Sequence, residues 1–294
     1  MKNILIYLDT DKRASLFDIL FSYDVGYEVV VPLGGVTVEE VRALVQDAMF
    51  PRGPQGAKCT TLFFGGSNPE EAEEMAEIAR KTMFPPFQLS VIIDPKGAFT
   101  TSSAMVAKTV EALKARKQNL AGKRALILAG TGPVGRIAAR ILAKEGVEVI
   151  LTSRSSAKAQ EVAEKVTQKV GIKVKGLKAE NPEEVFKLAR DCEILLSTGA
   201  AGVELIPQSY VEKLENCLVA VDANAVPPSG IGGINPGDDK KELGKMLVVG
   251  ALSVGSLRNK IAQRMLQTAM EKGGSFLDYE SGYRIAKELM EIGN

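Results

Sequence analysis

Residues 125–154, ALILAGTGPVGRIAARILAKEGVEVILTSR, decide the fold. A short apolar strand, Ala125–Ala129, leads into a glycine-rich turn at 130–135, and a second strand, Val147–Thr152, closes the segment. Between the two strands, apolar residues recur at helical spacing: Val134, Ile137, Ala138, Ile141 and Leu142. This order is the fingerprint of a dinucleotide-binding Rossmann unit: a strand, a G-x-G-x-x-G turn, a helix and a second strand.

Each glycine of this turn has a predicted task. Gly130 allows the tight turn, Gly132 lets a pyrophosphate approach the backbone, and Gly135 lets the helix pack closely on the strand. The free N–H groups and the partial positive charge of the helix N-terminus attract the phosphates. We therefore expect the cofactor to lie against Gly130, Thr131, Gly132, Pro133, Val134 and Gly135.

The end of the second strand predicts which dinucleotide binds. NAD sites usually carry Asp or Glu there for the ribose 2′-hydroxyl, and this strand ends without a carboxylate. The Arg154 guanidinium can bind a 2′-phosphate instead, with Ser153, Ser155 and Lys158 beside it as further hydrogen-bond donors. The alternative is a solvated arginine next to a helix N-cap. We expect NADP as the cofactor.

Composition narrows the choice of partners. The chain has 294 residues, 45% of them hydrophobic, and a formal net charge of +1. This suits one large or two medium-sized domains and gives no general attraction to nucleic acid or to a membrane. The N-terminal segment reads as a strand rather than a signal peptide, and no apolar stretch approaches the roughly 20 residues that span a bilayer. The three scattered cysteines are typical of reduced cytosolic proteins, so we expect a cytoplasmic protein without disulfides.

The chain contains no histidine. This excludes histidine-dependent alcohol oxidation, Ser-His-Asp hydrolysis and histidine-ligated zinc. Cys59, Cys192 and Cys217 also lack the close spacing of a zinc site. We expect no metal site, and any hydride transfer must use another base or need none.

Strands and helices alternate along the rest of the chain. This predicts an α/β fold with a Rossmann-type doubly wound parallel sheet and a smaller α/β substrate domain. In the first part, the expected strands are Asn3–Leu8, Tyr27–Val31, Thr60–Phe64 and Gln88–Ile93. The expected helices there are Lys12–Ser22, Val38–Met49, Pro69–Thr82 and Thr100–Lys117. A polar break at 118–123 predicts a substrate domain of residues 1–119, completed by 258–294, and an NADP domain of residues 120–257.

Small-residue loops follow the strands of the second part. The expected elements after the fingerprint are helix Ser156–Val170, strand Ile172–Leu177, helix Pro182–Arg190, strands Glu193–Ser197, Leu218–Asp222 and Met246–Val249, and helices Leu257–Met270 and Tyr279–Met290. In doubly wound sheets, ligands lie outside the carboxyl ends of the strands. Ordinary turn chemistry is the alternative for such loops. The residues expected to contact the cofactor are Thr198, Gly199, Ala200, Asn224 and Ala251.

Two loops of the first part hold polar side chains. In the segment Asp9–Asp18, we expect the acids to cap the following helix and Phe17 to lie in the core, with an acidic loop facing the ligand as the alternative. The segment 94–103 places several hydroxyls at a helix N-terminus, either as caps or facing the same cleft as the fingerprint turn.

Further motifs are spread over nearly the whole chain. They are Asp9-Thr10-Asp11 with Ser15-x-Phe17-Asp18, Phe63-Phe64-Gly65-Gly66, Thr100-Thr101, the run from Leu128 to Gly135, Thr198-Gly199-Ala200, Pro227-Pro228-x-Gly230-Ile231-Gly232-Gly233-Ile234 and Gly250-Ala251-Leu252-x-Val254-Gly255. In these motifs the chain resembles the NADP-dependent methylene-tetrahydromethanopterin dehydrogenases of C1 metabolism, which are relatives of methylene-tetrahydrofolate dehydrogenases.

The resemblance implies roles for single residues. Phe17 and Thr101 would line the pterin site, and Arg154 with Lys158 would hold the 2′-phosphate. On the long C-terminal helix the family carries Lys, Lys and His. The matching residues of this chain are Arg258, Lys260 and Ala262, of which the first two would position the substrate.

The resemblance also implies a reaction and partners. A methylene-tetrahydropterin, with tetrahydromethanopterin or tetrahydrofolate as the carrier, would be oxidised to the methenyl form by a homo-oligomer such as a trimer. The reacting carbon lies between two nitrogens, whose lone pairs stabilise the N–C=N cation that remains after hydride leaves. No proton needs to leave, so no general base is required, and catalysis rests mainly on orientation.

Two rival functions stay open from the sequence. A shikimate-type NADP-dependent dehydrogenase has a similar two-domain layout but needs a Lys–Asp pair, for which Lys96 and Asp222 are only loose candidates. An NADP(H)-binding sensor would bind the dinucleotide without turnover.

Overall fold

The computed structural model describes residues 1–291, which form two compact units. Met1–Thr100 and Asn259–Ile285 make up the first unit. The second unit holds Thr101–Arg258 and the residues from Ala286 onward. Each unit is therefore built from two separate segments of the chain.

The first unit contains a parallel sheet flanked by helices. Its first strands are β1 (Ile4–Asp9), β2 (Val29–Gly34), β3 (Thr60–Gly65) and β4 (Ser90–Ile93). The helices between them are α1 (Leu16–Val25), α2 (Val41–Met49), α3 (Gly53–Lys58) and α4 (Pro69–Thr82). The next helix, α5 (Ala98–Ala115), belongs to the second unit from Thr101 onward. Every residue of β3 is buried, as expected for a central strand covered on both faces.

The second unit continues the alternation. Its strands are β5 (Arg124–Leu128), β6 (Glu148–Ser153), β7 (Val174–Lys178), β8 (Ile194–Ser197), β9 (Val219–Asp222), β10 (Asp239–Leu243) and β11 (Met246–Val249). Its helices are α6 (Pro133–Lys144), α7 (Ser156–Val170), α8 (Pro182–Ala189) and α9 (Gln208–Val211). The chain ends in α10 (Ala251–Lys272), the short strand β12 (Phe276–Leu277) and α11 (Tyr279–Leu289).

The strand orders identify two doubly wound sheets. In the described part of the chain, the first unit has the parallel order β2-β1-β3-β4-β12, and the second unit has the order β7-β6-β5-β8-β9-β11-β10. From β7 to β11 the second order is that of a Rossmann sheet, and β10 adds an antiparallel edge. The predicted fold class is confirmed.

Helix α1 differs from its prediction. We expect it from Lys12 with aspartates as caps, but it begins at Leu16 and its N-cap is Ser15, whose hydroxyl oxygen accepts a hydrogen bond from the N–H of Asp18 at 3.3 Å. The preceding residues form a loop instead, in which Asp9 Oδ1 accepts from the N–H of Asp11 at 2.8 Å. The predicted burial of Phe17 is also wrong, because 50% of the residue is exposed.

Among residues 1–291, no helix has the length and apolar character needed to cross a bilayer. In the same range, no three His, Cys, Asp or Glu side chains are grouped so that they could hold a metal ion.

Candidate functional site

The turn between β5 and α6 leaves no room for side chains at two of its glycines. A Cβ on Gly130 would lie 2.8 Å from Leu151 Cβ and 3.0 Å from the Ile127 carbonyl oxygen. A Cβ on Gly135 would lie 2.5 Å from the Cα of Gly130 and 2.6 Å from its oxygen. Because the obstacles at Gly135 are backbone atoms, they cannot move aside cheaply. The helix therefore approaches the strand as closely as the sequence predicts.

Gly135→Ala is expected to destabilise the protein by roughly 1–3 kcal/mol or more, because the added methyl overpacks the turn against the Gly130 backbone. The matched control is Gly255→Ala in α10, where an added Cβ meets no atom within 4 Å. There the better helix propensity of alanine should stabilise by about 1 kcal/mol. Thermal unfolding of both variants measures the difference. Equal midpoints for the two would contradict this packing.

Gly132 lies in the opposite situation, in open space. It is the N-cap of α6, with φ −76° and ψ 171°, and a Cβ there would meet no atom within 4 Å. Among the described residues no side chain caps this helix end, and Pro133 at the first helical position has no N–H to satisfy. The next N–H groups of the helix point at the space beside Gly132. The residues therefore fit a pyrophosphate, since a helix N-terminus with an open backbone approach binds phosphates.

A hollow adjoins this turn at the carboxyl ends of β5, β6 and β8. It is lined by Leu128, Ala129, Thr131, Thr152, Ser153, Arg154, Ala179, Val185, Gly199, Ala200, Val203 and Leu205. The loop after β8 is tied to its floor, because the Thr198 hydroxyl donates to the Leu128 carbonyl at 3.0 Å. A mostly apolar hollow beside a turn that fits a pyrophosphate has the chemistry that an adenosine needs. It brings together six of the predicted cofactor residues: Thr131, Ser153, Arg154, Gly199 and Ala200 in its wall, and Thr198 next to it.

The charges at the end of β6 are not equivalent. Lys158 Nζ pairs with Glu161 at 3.0 Å, and the same carboxylate binds Lys165 at 2.8 Å. These two lysines lower the pKa of Glu161 to about 2. By contrast, within residues 1–291 the exposed Arg154 guanidinium has no ion-pair or hydrogen-bond partner. Arg154 is thus the cation that a 2′-phosphate can take without displacing a carboxylate.

Two serines beside Arg154 serve the backbone as well. Ser155 is the N-cap of α7 and accepts from the N–H of Lys158 at 3.3 Å, while Ser153 accepts from the N–H of Ser155 at 3.3 Å. The hydroxyl oxygen of Ser155 therefore acts as a helix cap. A hydroxyl that accepts in this way can still donate its proton to a phosphate oxygen.

The loop after β9 is organised by a residue that sequence reasoning did not assign to the cofactor site. Asp222, 1% exposed, accepts from the N–H of Asn224 at 2.9 Å and from the N–H of Ile231 at 2.8 Å. Burial raises the pKa of its carboxyl. The Asn224 side chain in turn donates to the Pro228 carbonyl at 3.1 Å and accepts from the N–H of Val226 at 3.0 Å. Asn224 therefore shapes the loop with its side chain, and its contact with the cofactor stays a prediction.

The segment around Ala251 is not a loop. We expect small-residue loop structure at 250–252 and a helix from Leu257, but α10 begins at Ala251, which is buried. The small residues after β11 let the helix begin at once: a Cβ on Gly250 would lie 2.1 Å from the Asn235 carbonyl oxygen. Contact between Ala251 and the cofactor stays a prediction.

The four residues predicted to act on the substrate belong to both units. Phe17 and Lys260 lie in the first unit, and Thr101 and Arg258 lie in the second. Phe17 stacks on Phe21 with ring centroids 5.8 Å apart. Next to Thr101, the Ser102 hydroxyl donates to the Val134 carbonyl at 2.7 Å, which ties this part of α5 to the first turn of α6. The part of α5 that includes Thr101 is therefore held against α6 within the second unit, and contact between Thr101 and the substrate stays a prediction.

Comparison with known proteins decides the family. The chain is 37% identical over 293 residues to the NAD(P)-dependent methylenetetrahydromethanopterin dehydrogenase of Methylorubrum extorquens, covering 98% of this chain and 99% of that protein. The chain belongs to the methylene-tetrahydromethanopterin dehydrogenase family. The predicted family membership is confirmed. A second protein of the same organism, named bifunctional protein MdtA, is 35% identical over 288 residues, with 98% and 99% coverage.

Family models divide this dehydrogenase-family chain in two. The model described as methylene-tetrahydromethanopterin dehydrogenase, N-terminal, matches residues 16–96, and the model for shikimate / quinate 5-dehydrogenase matches residues 111–229. The second range covers β5 to β9 of the second unit, so this likeness concerns that part of the chain. Among solved structures, the ligand-free 5-ketofructose reductase of Gluconobacter sp. strain CHM43 aligns with a TM-score of 0.53 at 15% identity, covering 98% of this chain and 99% of that one. This likeness concerns the fold alone.

Proposed function

We propose that this chain is an NADP-dependent dehydrogenase that oxidises methylene-tetrahydromethanopterin to the methenyl form. The observation that carries the proposal is the 37% identity to a protein of that name, with almost complete coverage of both chains. The open backbone at Gly132 suits a pyrophosphate, and Arg154, which has no partner among residues 1–291, suits a 2′-phosphate; both support the choice of cofactor. A cytoplasmic location and a homo-oligomeric state are part of the proposal, and the mass of the native protein in solution tests the latter.

In this proposal, residues of the second unit bind NADP and orient the substrate. The N-terminus of α6 would hold the pyrophosphate beside Gly132, and Arg154 would bind the 2′-phosphate. The loop after β8, tied to β5 through Thr198, would border the adenosine. When bound, NADP accepts the hydride at its nicotinamide ring. Thr101, anchored next to α6, and Arg258 supply side chains of this unit to the substrate.

A protein without histidine can catalyse this reaction, because the chemistry of the substrate requires no general base. The two nitrogens beside the methylene carbon share the positive charge that develops there, so no proton has to leave in the step. The chain has no histidine, which is the side chain that ordinarily titrates near neutrality. Positioning by Phe17, Arg258 and Lys260 is then the main contribution of the protein.

The chemical step should be nearly independent of pH between about 6 and 8, because the proposed reaction uses no general base. Single-turnover rates with saturating pterin and NADP, measured across this range, check the prediction. Arg258→Ala should lower the rate without adding a pH dependence. A roughly tenfold rise with a midpoint near neutrality would show that a group with a shifted pKa acts as a base, which the proposed mechanism does not contain.

The proposed function is tested by a spectrophotometric assay with both carriers and both dinucleotides. Methylene-tetrahydromethanopterin with NADP should give NADPH and methenyl product, and NAD should be a poorer acceptor. Shikimate is included because a shikimate / quinate dehydrogenase model matches residues 111–229. Turnover of shikimate alone would replace the proposal with the shikimate-type reaction. Tight NADPH binding without turnover of any of these substrates would favour the sensor.

A further inference from the structure

Three loops of the first unit meet in one polar cluster, formed by Asp11, Ser67 and Lys96. Lys96 Nζ lies 2.7 Å from Asp11 Oδ2 and donates to Ser67 Oγ at 2.5 Å. The Ser67 hydroxyl donates to the same Asp11 oxygen at 2.7 Å. Asp11 follows β1, Ser67 follows β3 and Lys96 follows β4. The cluster therefore sits at the carboxyl edge of the sheet, where parallel α/β sheets bind their ligands.

The strand order places this cluster at a particular point of that edge. The order β2-β1-β3-β4-β12 is the flavodoxin-like order, in which the chain winds to one side of β1 and then to the other. The connections therefore diverge between β1 and β3 and leave a crevice outside their carboxyl ends. Asp11 and Ser67 follow the two strands that border this crevice.

The loops are brought together closely. A Cβ on Gly66 would lie 2.0 Å from Thr10 Oγ1, so glycine is required where the loop after β3 passes the loop after β1. Lys96 itself has φ 47° and ψ 35°, a left-handed conformation that favours glycine. The chain thus keeps a lysine at a strained position, and such strain clusters at functional sites. The ion pair with Asp11 does not account for keeping a lysine at this strained position, because 60% of the lysine side chain is exposed and exposed pairs contribute little to stability.

The cluster offers one donor and one acceptor side by side. The Lys96 ammonium has three N–H groups, of which two serve Asp11 and Ser67, so one remains. The Asp11 side chain is 32% exposed, and its hydrogen bond from Lys96 holds the pKa of its carboxyl below the usual range. A fixed carboxylate therefore stands next to a fixed ammonium.

We infer that Asp11 and Lys96 bind the pyrimidinone edge of the tetrahydropterin, with Ser67 holding both in place. That edge carries an N–H next to a C=O, so it can donate to the carboxylate while it accepts from the ammonium. The inference rests on the proposed function, since it takes a tetrahydropterin as the substrate. It adds two binding residues in the first unit to the predicted Phe17 and Lys260.

Lys96→Gly is the decisive variant, because it removes the ammonium and relieves the backbone strain together. Thermal stability should stay the same or rise, while the dissociation constant for tetrahydromethanopterin, measured by calorimetry, should rise tenfold or more through loss of a charge-assisted hydrogen bond. Asp11→Asn should weaken binding similarly. The dissociation constant for NADP should be unchanged in both. The matched control is Lys81→Met, which breaks another exposed lysine pair of the first unit, with Glu77.

Tetrahydrofolate provides the second arm, since it has the same pyrimidinone edge and a different tail. Lys96→Gly should weaken both carriers by a similar factor. If affinity fell for only one carrier, the cluster would bind the tail of that carrier instead of the pyrimidinone edge. If affinity for both carriers were unchanged, the cluster would only connect the loops. Either result overturns the inference. These binding measurements do not need turnover, so an unmodified chain that binds the pterin without oxidising it would contradict the proposed function and leave the inference standing.

Discussion

Gly132→Val is expected to abolish NADP binding without unfolding the protein. A side chain at this position would project into space that is free of protein atoms within 4 Å, which is the space assigned to the pyrophosphate. The N–H groups of the α6 N-terminus would then be blocked together, and each hydrogen bond to a charged group is worth about 1.5–3 kcal/mol. We expect the dissociation constant for NADP to rise by roughly 100-fold or more.

The fold should tolerate the same change. The backbone of Gly132 is extended, so valine meets no conformational barrier, and valine as an N-cap costs about 1 kcal/mol. Calorimetry with NADP and a thermal melt measure the two effects separately. Gly237→Val is the matched control, because Gly237 is also in the second unit and also faces open space. If Gly132→Val retained its affinity for NADP, the prediction that the pyrophosphate binds at this turn would be wrong.

Two helices whose capping residues lie directly beside them in the sequence are predicted correctly. The observed α4 and α7 have the predicted bounds. Asn68 and Pro69 mark the start of α4, and Ser155 and Gly171 cap the two ends of α7. Where caps, apolar periodicity and a terminal glycine agree, the residues inside one segment suffice to place a helix.

Elements that depend on distant parts of the chain were missed. The helix α3 has the sequence GPQGAK, which is typical of a turn, and β10 has the sequence DKKEL, whose polar residues suit only an edge strand paired with β11. The strand β12 has two residues and exists through its pairing with β4. In each case the deciding contacts come from tertiary structure, which overrides propensity.

The candidate site shows the same division. The glycine turn and Arg154 lie within 25 residues of each other and could be found from spacing. The role of Asp222 in ordering its loop needs the fold, as does the meeting of Asp11, Ser67 and Lys96 across 85 positions. Apolar character alone does not predict the exposure of Phe17, because the buried residues of α1 are Asp18 and Ser22, whereas Leu16, Phe17 and Leu20 are exposed.

Arg154→Ala is expected to raise the Michaelis constant for NADP by about 100-fold while leaving the use of NAD nearly unchanged. A guanidinium binds a phosphate through two parallel charge-assisted hydrogen bonds, and losing both costs about 3 kcal/mol, of which each 1.4 kcal/mol is a factor of ten. NAD lacks the 2′-phosphate, so the same change removes no contact from it. The variant should therefore lose most of its preference between the two cofactors.

Lys158→Ala separates this contact from a general loss of positive charge. Lys158 is already paired with Glu161, whereas Arg154 has no partner among residues 1–291, so the lysine variant should raise the Michaelis constant for NADP far less. Steady-state kinetics of both variants with NADP and NAD make the comparison, and a thermal melt checks that the end of β6 is intact. If Arg154→Ala weakened both cofactors equally, the arginine would act on a part that they share. If Lys158→Ala had the larger effect, the 2′-phosphate would have to displace Glu161 from its pair with the lysine, and the free guanidinium would need another ligand.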